Sequence, residues 1–439
     1  MTKYRSLSPS SRTRTTLRSR RRSLSPLSSK RSTFSRSLSP LSRNRTKKSK
    51  SKFSITRKSR SKRVQMLQRH PNLNIKYPDL LNRKTYNSIE KISKQDSTLS
   101  GSDVYKVFNK KGSGFVLKLT HVDKDIFYND NSLPATEIKM YKTMNALVTN
   151  NVTPHVFTIM DSIKVKRADS TLGGKIPKDK YGTYAMFVES NLKEDNITTL
   201  ADLIFVFLST EPPADETQKK QKHSILNLLF QIIYTIKAFN MIGLKHNDLH
   251  LGNILILLNT PSDKVTHNKY VLTDDTEVIL DNIDISARIF DFDRSCKNPV
   301  KSIIKKEFRN AIKPDEIYHK GRDYYSCNAN NRADIYRVLY NIWTIGKKTN
   351  TYITTILKHL LTTIFRGKLS LLESGKYTYL IHAKKIPSGI LTTKSSVPTN
   401  DEMMSIDEIL KLIADEIKGT ENSDGTLSET YELNNILSE

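Results

Sequence analysis

Alternating apolar and polar positions between residues 102 and 190 predict a run of β-strands. The segment GSDVYKVFNKKGSGFVLKLT alternates over Val104–Phe108 and again over Phe115–Leu119, with a glycine-containing turn between the two runs. This pattern predicts a β-hairpin. The segments VFTIMDSIKV and YAMFVES, which begin at Val156 and Tyr184, predict two further strands.

Apolar residues that recur every three or four positions predict helices in the rest of the chain. The segments with this period are SLPATEIKMYKTMNALV from Ser132, SILNLLFQIIYTIKAFNMIGL from Ser224, ADIYRVLYNIW from Ala333, and residues 405–418. Between the second and third helices, NKYVLTDDTEVILD predicts another hairpin with TDDT at its tip. Because strands come first and helices afterwards, the order indicates an α+β domain with two lobes.

The first 63 residues have a composition that cannot form a packed core. They hold 22 Lys and Arg, no Asp or Glu, and three copies of RSLSP. Such a segment buries too little apolar surface to offset its ordering entropy, so we predict a disordered tail. Its charge suits nucleic acid or another polyanion, but a solubilising tail without a single partner fits the composition equally well. Phosphorylation of Ser8, Ser25 or Ser39, each followed by proline, would remove about 1.5–2 positive charges and weaken polyanion binding.

Composition divides the 439 residues into four segments. We predict a tail over 1–63, a linker and β-rich first lobe over 64–190, a mostly helical second lobe over 191–400, and an acidic helix and tail over 401–439. The last segment holds 11 acids and 2 bases.

Membrane and disulfide classes are not favoured by the sequence. No apolar run approaches the roughly 20 residues that cross a bilayer, and the N-terminus is too charged for a secretory signal. The two cysteines, Cys296 and Cys327, form neither a disulfide framework nor a CxxC metal pattern, which favours a reducing compartment. We therefore expect a soluble intracellular protein with no membrane partner.

Oxygen-bearing side chains gather at one predicted loop and at one predicted strand end. HNDLHLGN, residues 246–253, places Asp248 and Asn253 five positions apart before an apolar strand, and IFDFDRS ends a second strand at Asp291. Phosphoryl transfer from ATP requires a carboxylate that orients the attacking hydroxyl, oxygen ligands for Mg²⁺, and a cation at the phosphates. These three side chains meet the first two requirements.

At these residues the chain resembles the protein-kinase-like superfamily, which implies a kinase fold with a small β-rich lobe and a larger helical lobe. HNDLHLGN matches the pattern HxDxxxxN, and DFD at 291–293 stands where kinases carry DFG. The resemblance extends to Lys118 in VLKL and to Glu137, which follows it by 137 − 118 = 19 positions. It covers about residues 95–345.

The resemblance implies a role for each matching residue, with ATP and Mg²⁺ as cofactors. Asp248 is expected to be the catalytic base, and Asn253 and Asp291 are expected to bind Mg²⁺. Lys118 is expected to contact the α- and β-phosphates of ATP, positioned by Glu137.

Other matches are looser. Gly101 is expected to cover the phosphates, and residues 186–191, including Glu189, are expected to form the hinge beside the adenine. Asp334 corresponds to the aspartate that braces the catalytic loop. His250 is expected to contact a phosphate or the substrate, or else to be a hydrogen-bonded residue of the loop.

Three positions depart from the kinase pattern. LSGSDVYKV has one glycine where a full glycine-rich loop has three, and Asp293 replaces the glycine of DFG. His250 stands where many Ser/Thr kinases have a lysine that contacts phosphate. A neutral histidine would give the transferring phosphate less positive charge.

Three functions are compatible with these patterns. The first is a Ser/Thr protein kinase that acts on protein substrates; the abundance of Asn, Ile, Lys and Thr resembles kinases of large DNA viruses, so a virion or the host cytoplasm is the expected location. The second is a small-molecule phosphotransferase of the choline or aminoglycoside type. The third is a non-catalytic pseudokinase tethered to nucleic acid by residues 1–63.

Overall fold

The computed structural model describes residues 86–91, 102–109, 114–168, 176–190, 197–209, 215–258, 266–281, 285–300, 303–312, 332–347, 351–373, 398–418 and 426–438. Its strands are β1 Tyr86–Lys91, β2 Ser102–Asn109, β3 Gly114–Val122, β4 Ile159–Lys166, β5 Gly182–Ser190, β6 Ile197–Thr199, β7 Leu244–Lys245, β8 Ile254–Leu258, β9 Thr266–Val271, β10 Glu277–Asp281, β11 Ile285–Ile289, β12 Cys296–Lys297 and β13 Thr426–Glu432. Its α-helices are α1 Lys124–Tyr128, α2 Leu133–Thr149, α3 Leu200–Ser209, α4 Asp215–Met241, α5 Ala333–Gly346, α6 Tyr352–Ile364, α7 Ser370–Glu373 and α8 Ile406–Lys418.

The first lobe is a five-stranded antiparallel sheet in the order β1-β2-β3-β5-β4. Successive side chains of a strand point to opposite faces, and β5 uses both. Tyr184 and Met186 join the large core that includes α2, whereas Ala185 and Phe187 join a smaller cluster on the other face. Because both faces of its central strands are covered, this sheet is a firm platform for the residues it carries.

Helix α2 starts where the sequence pattern predicts. Ser132 lies at its N-cap and a proline lies in the first turn, a position where the missing N–H of proline costs nothing. Met140, Tyr141 and Met144 are buried against the sheet and the second lobe. The register of α2 places Glu137 on the same buried side.

The second lobe is built around α4, whose apolar residues are almost fully buried from Ile225 to Phe239. The helix ends before Gly243, which has a φ of +74°. This left-handed conformation favours glycine, and an added Cβ would lie 2.8 Å from Cγ1 of Val300. The turn directs the chain into β7 and then into the loop 246–253.

Strands β8 and β11 pair antiparallel, with Ile254 opposite Ile289. The hairpin β9–β10 is inserted between them and forms a separate sheet in the order β10-β9-β13. The last strand, β13, runs parallel to β9, with Tyr431 opposite Tyr270. The C-terminal part of the chain therefore completes a sheet that begins about 160 residues earlier in the sequence.

The acidic helix α8 packs on α4 with a fully apolar inner face. Ile409, Ile413 and Ile417 are completely buried. Two acids of α8, Glu416 and Asp407, pair with lysines of α4. Their carboxylates lie 2.9 Å from Lys222 and 2.7 Å from Lys237. Helix α8 is thus an integral part of the second lobe.

The fold class predicted from the sequence, an α+β arrangement of a β-rich first lobe and a mostly helical second lobe, is confirmed by this architecture. The predicted hairpins and the four predicted helices are present. Some strands differ from the prediction, among them β1, β6 and β13. β1 was not predicted, and residues 426–438, predicted as part of a tail, form β13 and a short 3₁₀-helix.

Several predictions fall outside the described residues. These are the disorder of residues 1–63, the phosphate-covering role of Gly101 and the state of Cys327. Among the described residues, no helix is long and apolar enough to cross a membrane.

Candidate active site

The pairing of β8 with β11 brings two parts of the candidate site side by side. Asn253 immediately precedes β8, and Asp291 follows β11 by two residues. The backbone N–H of Phe290 donates to the carbonyl oxygen of Asn253 at 3.1 Å. Because the start of β8 and the end of β11 are neighbours, residues 38 positions apart in the sequence meet at one edge of this sheet.

Hydrogen bonds within the loop fix Asp248 relative to Asn253. The side-chain amide nitrogen of Asn253 donates to the carbonyl oxygen of Asp248 at 2.9 Å. The backbone N–H of His250 donates to the same carbonyl oxygen at 2.8 Å. Since the amide nitrogen of Asn253 is used in this way, its amide oxygen is the atom that can bind a cation.

Asp334, near the start of α5, anchors the loop from below. Its two carboxylate oxygens accept the backbone N–H groups of His246 and Asn247 at 2.8 and 2.9 Å. Asn247 has a φ of +63°, a left-handed conformation that costs about 1–2 kcal/mol for a residue with a side chain. The two charge-assisted hydrogen bonds offset that cost and set the direction of Asp248.

The carboxylate of Asp248 lies between two guanidinium groups. Nη2 of Arg337, on α5, is 2.7 Å from Oδ1 of Asp248. Nη1 of Arg294, which follows DFD, is 3.3 Å from Oδ2. Asp248, which is buried, is thereby held by contacts from two other segments.

The first lobe contributes a lysine to the same site. Nζ of Lys118 on β3 lies 2.7 Å from Oε1 of Glu137 on α2. It also lies 3.5 Å from Oδ1 of Asp291. The lysine that the sequence pattern singled out therefore connects the sheet, α2 and the segment after β11.

Burial and charge shift the protonation of this group. Burial lowers the pKa of Lys118, but the carboxylates of Glu137 and Asp291 outweigh that effect and raise it above its ordinary value. Burial raises the pKa of Glu137 to about 7, a shift that Lys118 opposes and Asp291 supports. Lys118 is therefore a permanent cation between two acids.

An aromatic cluster supports the segment that carries Asp291. The ring of Phe292 contacts Tyr141 of α2, His246 of the loop and Phe239 of α4, with ring centroids 5.3, 4.9 and 5.9 Å away. The hydroxyl of Tyr141 also accepts the backbone N–H of Asp291 at 3.3 Å. Asp291 itself has a φ of +65°, and this packing maintains its conformation.

The donor set of the site fits a magnesium ion that binds together with a nucleotide. Among the described residues there is no group of three or more His, Cys, Asp or Glu side chains arranged to hold a metal. Mg²⁺ in nucleotide sites is held by one or two carboxylates together with phosphate oxygens and water. Asp291 and Asn253 supply such a set, and Oδ1 of Asp293 is buried without a hydrogen-bond partner beside them.

Asp293 lies in a markedly acidic environment. Burial raises its pKa to about 6, and the carboxylate of Asp291 adds to that shift. A nearby divalent cation would lower the pKa of Asp293 again, because an added positive charge favours the ionised form of a carboxylate.

Three further residues predicted for the site are Glu189, Gly101 and His250. Glu189 lies in β5 opposite Phe115, at the end of the sheet, and Gly101 directly precedes β2. Nδ1 of His250 accepts the backbone N–H of Gly252 at 3.1 Å, a hydrogen bond within the loop. Burial lowers the pKa of His250, so its imidazole is neutral at neutral pH.

Sequence reasoning did not identify Arg294 and Arg337 as members of the site. Arg337 follows Asp334 by three positions on α5, so both face the loop from one side of the helix. That spacing is a signal that the sequence contains. Arg294 carries no comparable signal, because its position depends on the turn after DFD.

Comparisons with known proteins found similarity to solved structures. No protein-family model matches the sequence, and no curated protein matches it significantly. Solved structures do match, among them the crystal structure of a Stt7 homolog from Micromonas algae soaked with ATP. That match has a TM-score of 0.37 and 12% sequence identity, and it covers 74% of this chain and 91% of the other.

Proposed function

We propose that the protein transfers the γ-phosphoryl group of ATP to serine or threonine hydroxyls of protein substrates. The observation that carries the proposal is the meeting of Asp248, Asn253, Asp291 and the Lys118–Glu137 ion pair at one site. These groups come from four separate segments of the chain, and a purely structural role requires no such convergence. They match the chemical needs of phosphoryl transfer, which depends on positioning and on stabilisation of charge.

Each residue has a defined task in this reaction. Asp248 accepts the proton of the attacking hydroxyl while that oxygen forms a bond to the γ-phosphorus. The bond between the γ-phosphorus and the bridging oxygen breaks, and ADP departs with the electron pair. Lys118 holds the α- and β-phosphates, and Glu137 keeps the lysine in place at 2.7 Å. Bound Mg²⁺, held by Asn253 and Asp291, would supply charge neutralisation at the phosphates.

The charge around Asp248 favours a protein hydroxyl over a cationic small alcohol. Arg294 and Arg337 lie 3.3 and 2.7 Å from its carboxylate. A choline or an aminoglycoside would bring a further positive charge toward these guanidinium groups, which is unfavourable. Residues 1–63, with their three RSLSP segments, are the first protein substrate to test. Polyanion binding by these residues and a virion location stay predictions from the sequence.

The test is transfer of radioactive phosphate from labelled ATP by the full-length protein. The acceptors are the protein itself, a peptide that contains RSLSP, choline and kanamycin. We expect label on serine or threonine of the protein or the peptide, and loss of labelling in Asp248→Asn and Asp291→Asn. Asp202→Asn is the matched control, because Asp202 is exposed at the start of α3.

The possible results separate the functions considered. Label on choline or kanamycin alone would replace the proposal with a small-molecule phosphotransferase. An equal, background level of labelling in the wild type and in both site variants would leave a non-catalytic protein. Equal loss in Asp202→Asn would show that the assay reports folding instead of chemistry.

A further inference from the structure

The two guanidinium groups at Asp248 differ in how firmly they are held. The side chain of Arg337 is 8% exposed, and that of Arg294 is 40% exposed. Nη1 of Arg337 also donates to the carbonyl oxygen of Asn247 at 3.0 Å, which ties it to the loop. The side chain of Arg337 is therefore held against the loop 246–253, whereas the side chain of Arg294 extends toward solvent.

The backbone of Arg294 is nevertheless well placed. Its carbonyl oxygen accepts the side-chain N–H of Asn247 at 3.0 Å. The hydroxyl of Ser295, the next residue, donates to the carbonyl oxygen of His246 at 3.1 Å. A partly exposed cationic side chain is thus attached to a hydrogen-bonded backbone, 3.3 Å from the candidate catalytic base.

The loop 246–253 itself contains no Lys or Arg that could contact the transferring phosphoryl group. Nδ1 of His250 already accepts the backbone N–H of Gly252 at 3.1 Å. Lys118 is engaged by Glu137 and Asp291. Negative charge that develops on the γ-phosphate oxygens must be stabilised for efficient transfer.

We propose that Arg294 is a catalytic residue that moves from Asp248 to the transferring phosphoryl group when the nucleotide binds. A guanidinium group matches phosphate oxygens with paired N–H donors and keeps its charge at every physiological pH. Its departure frees Oδ2 of Asp248 to accept the hydroxyl proton, while Arg337 continues to hold Oδ1. The base is therefore blocked by Arg294 until a phosphate group takes the arginine away.

This inference rests on the proposed function, and it adds a prediction that a surface ion pair does not make. An exposed ion pair contributes little to stability, with a median of about 0–1 kcal/mol. If Arg294 had only that role, its removal would leave catalysis unchanged. If it binds the transferring group, its removal lowers the rate and spares the binding of ADP.

The experiment compares Arg294→Gln and Arg294→Lys with Arg366→Gln in the full-length protein. Arg366 is a matched control, because its side chain is also 40% exposed and paired with a carboxylate, that of Glu408. We would measure kcat and KM for ATP, and the affinity for ADP and Mg²⁺ with and without aluminium fluoride, which mimics the transferring phosphoryl group.

For Arg294→Gln we expect kcat to fall by about 100-fold or more, with KM and the affinity for ADP within about threefold of wild type. We also expect loss of the tighter binding that aluminium fluoride gives, and partial recovery of both properties in Arg294→Lys. Wild-type kcat in Arg294→Gln, or equal weakening of ADP with and without aluminium fluoride, would overturn the inference alone. Absence of phosphoryl transfer in the wild type would overturn the proposed function as well, so the two failures are distinct.

Discussion

Asp334 offers the sharpest test of how the fold positions the catalytic loop. The side chain of this buried residue accepts two backbone N–H groups, from His246 and Asn247. Asp334→Asn keeps the size of the side chain but replaces one acceptor oxygen with an N–H₂ group. One buried backbone N–H then faces another donor, and the remaining hydrogen bond loses its charge assistance.

The expected cost follows from these contacts. A buried N–H left without an acceptor costs about 1–3 kcal/mol, and the loss of charge assistance adds to it, so we expect Asp334→Asn to destabilise the protein by about 2–4 kcal/mol. Asn247 also loses part of the support for its left-handed backbone, so Asp248 moves. Because small displacements of a catalytic group reduce rates strongly, we expect kcat to fall by about 100-fold with little change in KM for ATP.

Thermal unfolding and steady-state kinetics of Asp334→Asn measure both effects. Asp202→Asn makes the same chemical change at an exposed position whose carboxylate accepts the hydroxyl of Thr199 at 2.6 Å, and we expect it to remain close to wild type. The bracing role assigned to Asp334 is refuted if Asp334→Asn has the same melting temperature as Asp202→Asn and a kcat within about twofold of it.

Three further predictions concern the stability of the second lobe. Burial lowers the pKa of Lys297 from 10.5 to about 8, so unfolding takes up a proton between these two pH values. In urea unfolding, the free energy of unfolding of the wild type should therefore rise by about 2 kcal/mol relative to that of Lys297→Met from about pH 7 to about pH 9.5. A difference that stays constant with pH would contradict this. Gly243→Ala forces a side chain into a φ of +74° and a 2.8 Å contact with Val300, so its melting temperature should fall by several degrees, and an unchanged value would show that the turn relaxes freely. Tyr431→Ala removes a ring that is 6% exposed and should lower the free energy of unfolding by about 3–5 kcal/mol. Tyr128→Ala, at a position 55% exposed, should lower it by less than about 1 kcal/mol. Equal losses of stability in the two variants would contradict the assigned packing.

The sequence predicted the elements whose signal is local. The alternation on either side of the turn before Gly114 specified the hairpin β2–β3, and the three-to-four period specified α2 and α8. The start of α4 was placed nine residues late, at Ser224 instead of Asp215. The added turns read DETQKKQKH, which is polar throughout, and an apolar period is therefore absent from them.

β1 and β13, which the sequence did not predict, depend on pairing with other strands. β1, YNSIEK, has a single large aliphatic side chain and is specified by its pairing with β2. β13, TLSETYE, is mostly polar and is specified by its parallel pairing with β9. In the candidate site, Asp248, Asn253 and Asp291 follow from their sequence motif, whereas Arg294 is recruited by a turn whose geometry no short pattern records.

The parallel pairing of β13 with β9 has a consequence for how the protein is made. The hairpin β9–β10 lies in the sequence between β8 and β11, the two strands next to Asn253 and Asp291, yet its partner strand β13 is translated about 160 residues later. During synthesis, the edge of β9 and the aromatic face around Tyr270 stay uncovered until β13 has been made. A chain that stops before β13 therefore exposes an unpaired strand edge, which favours pairing with other chains.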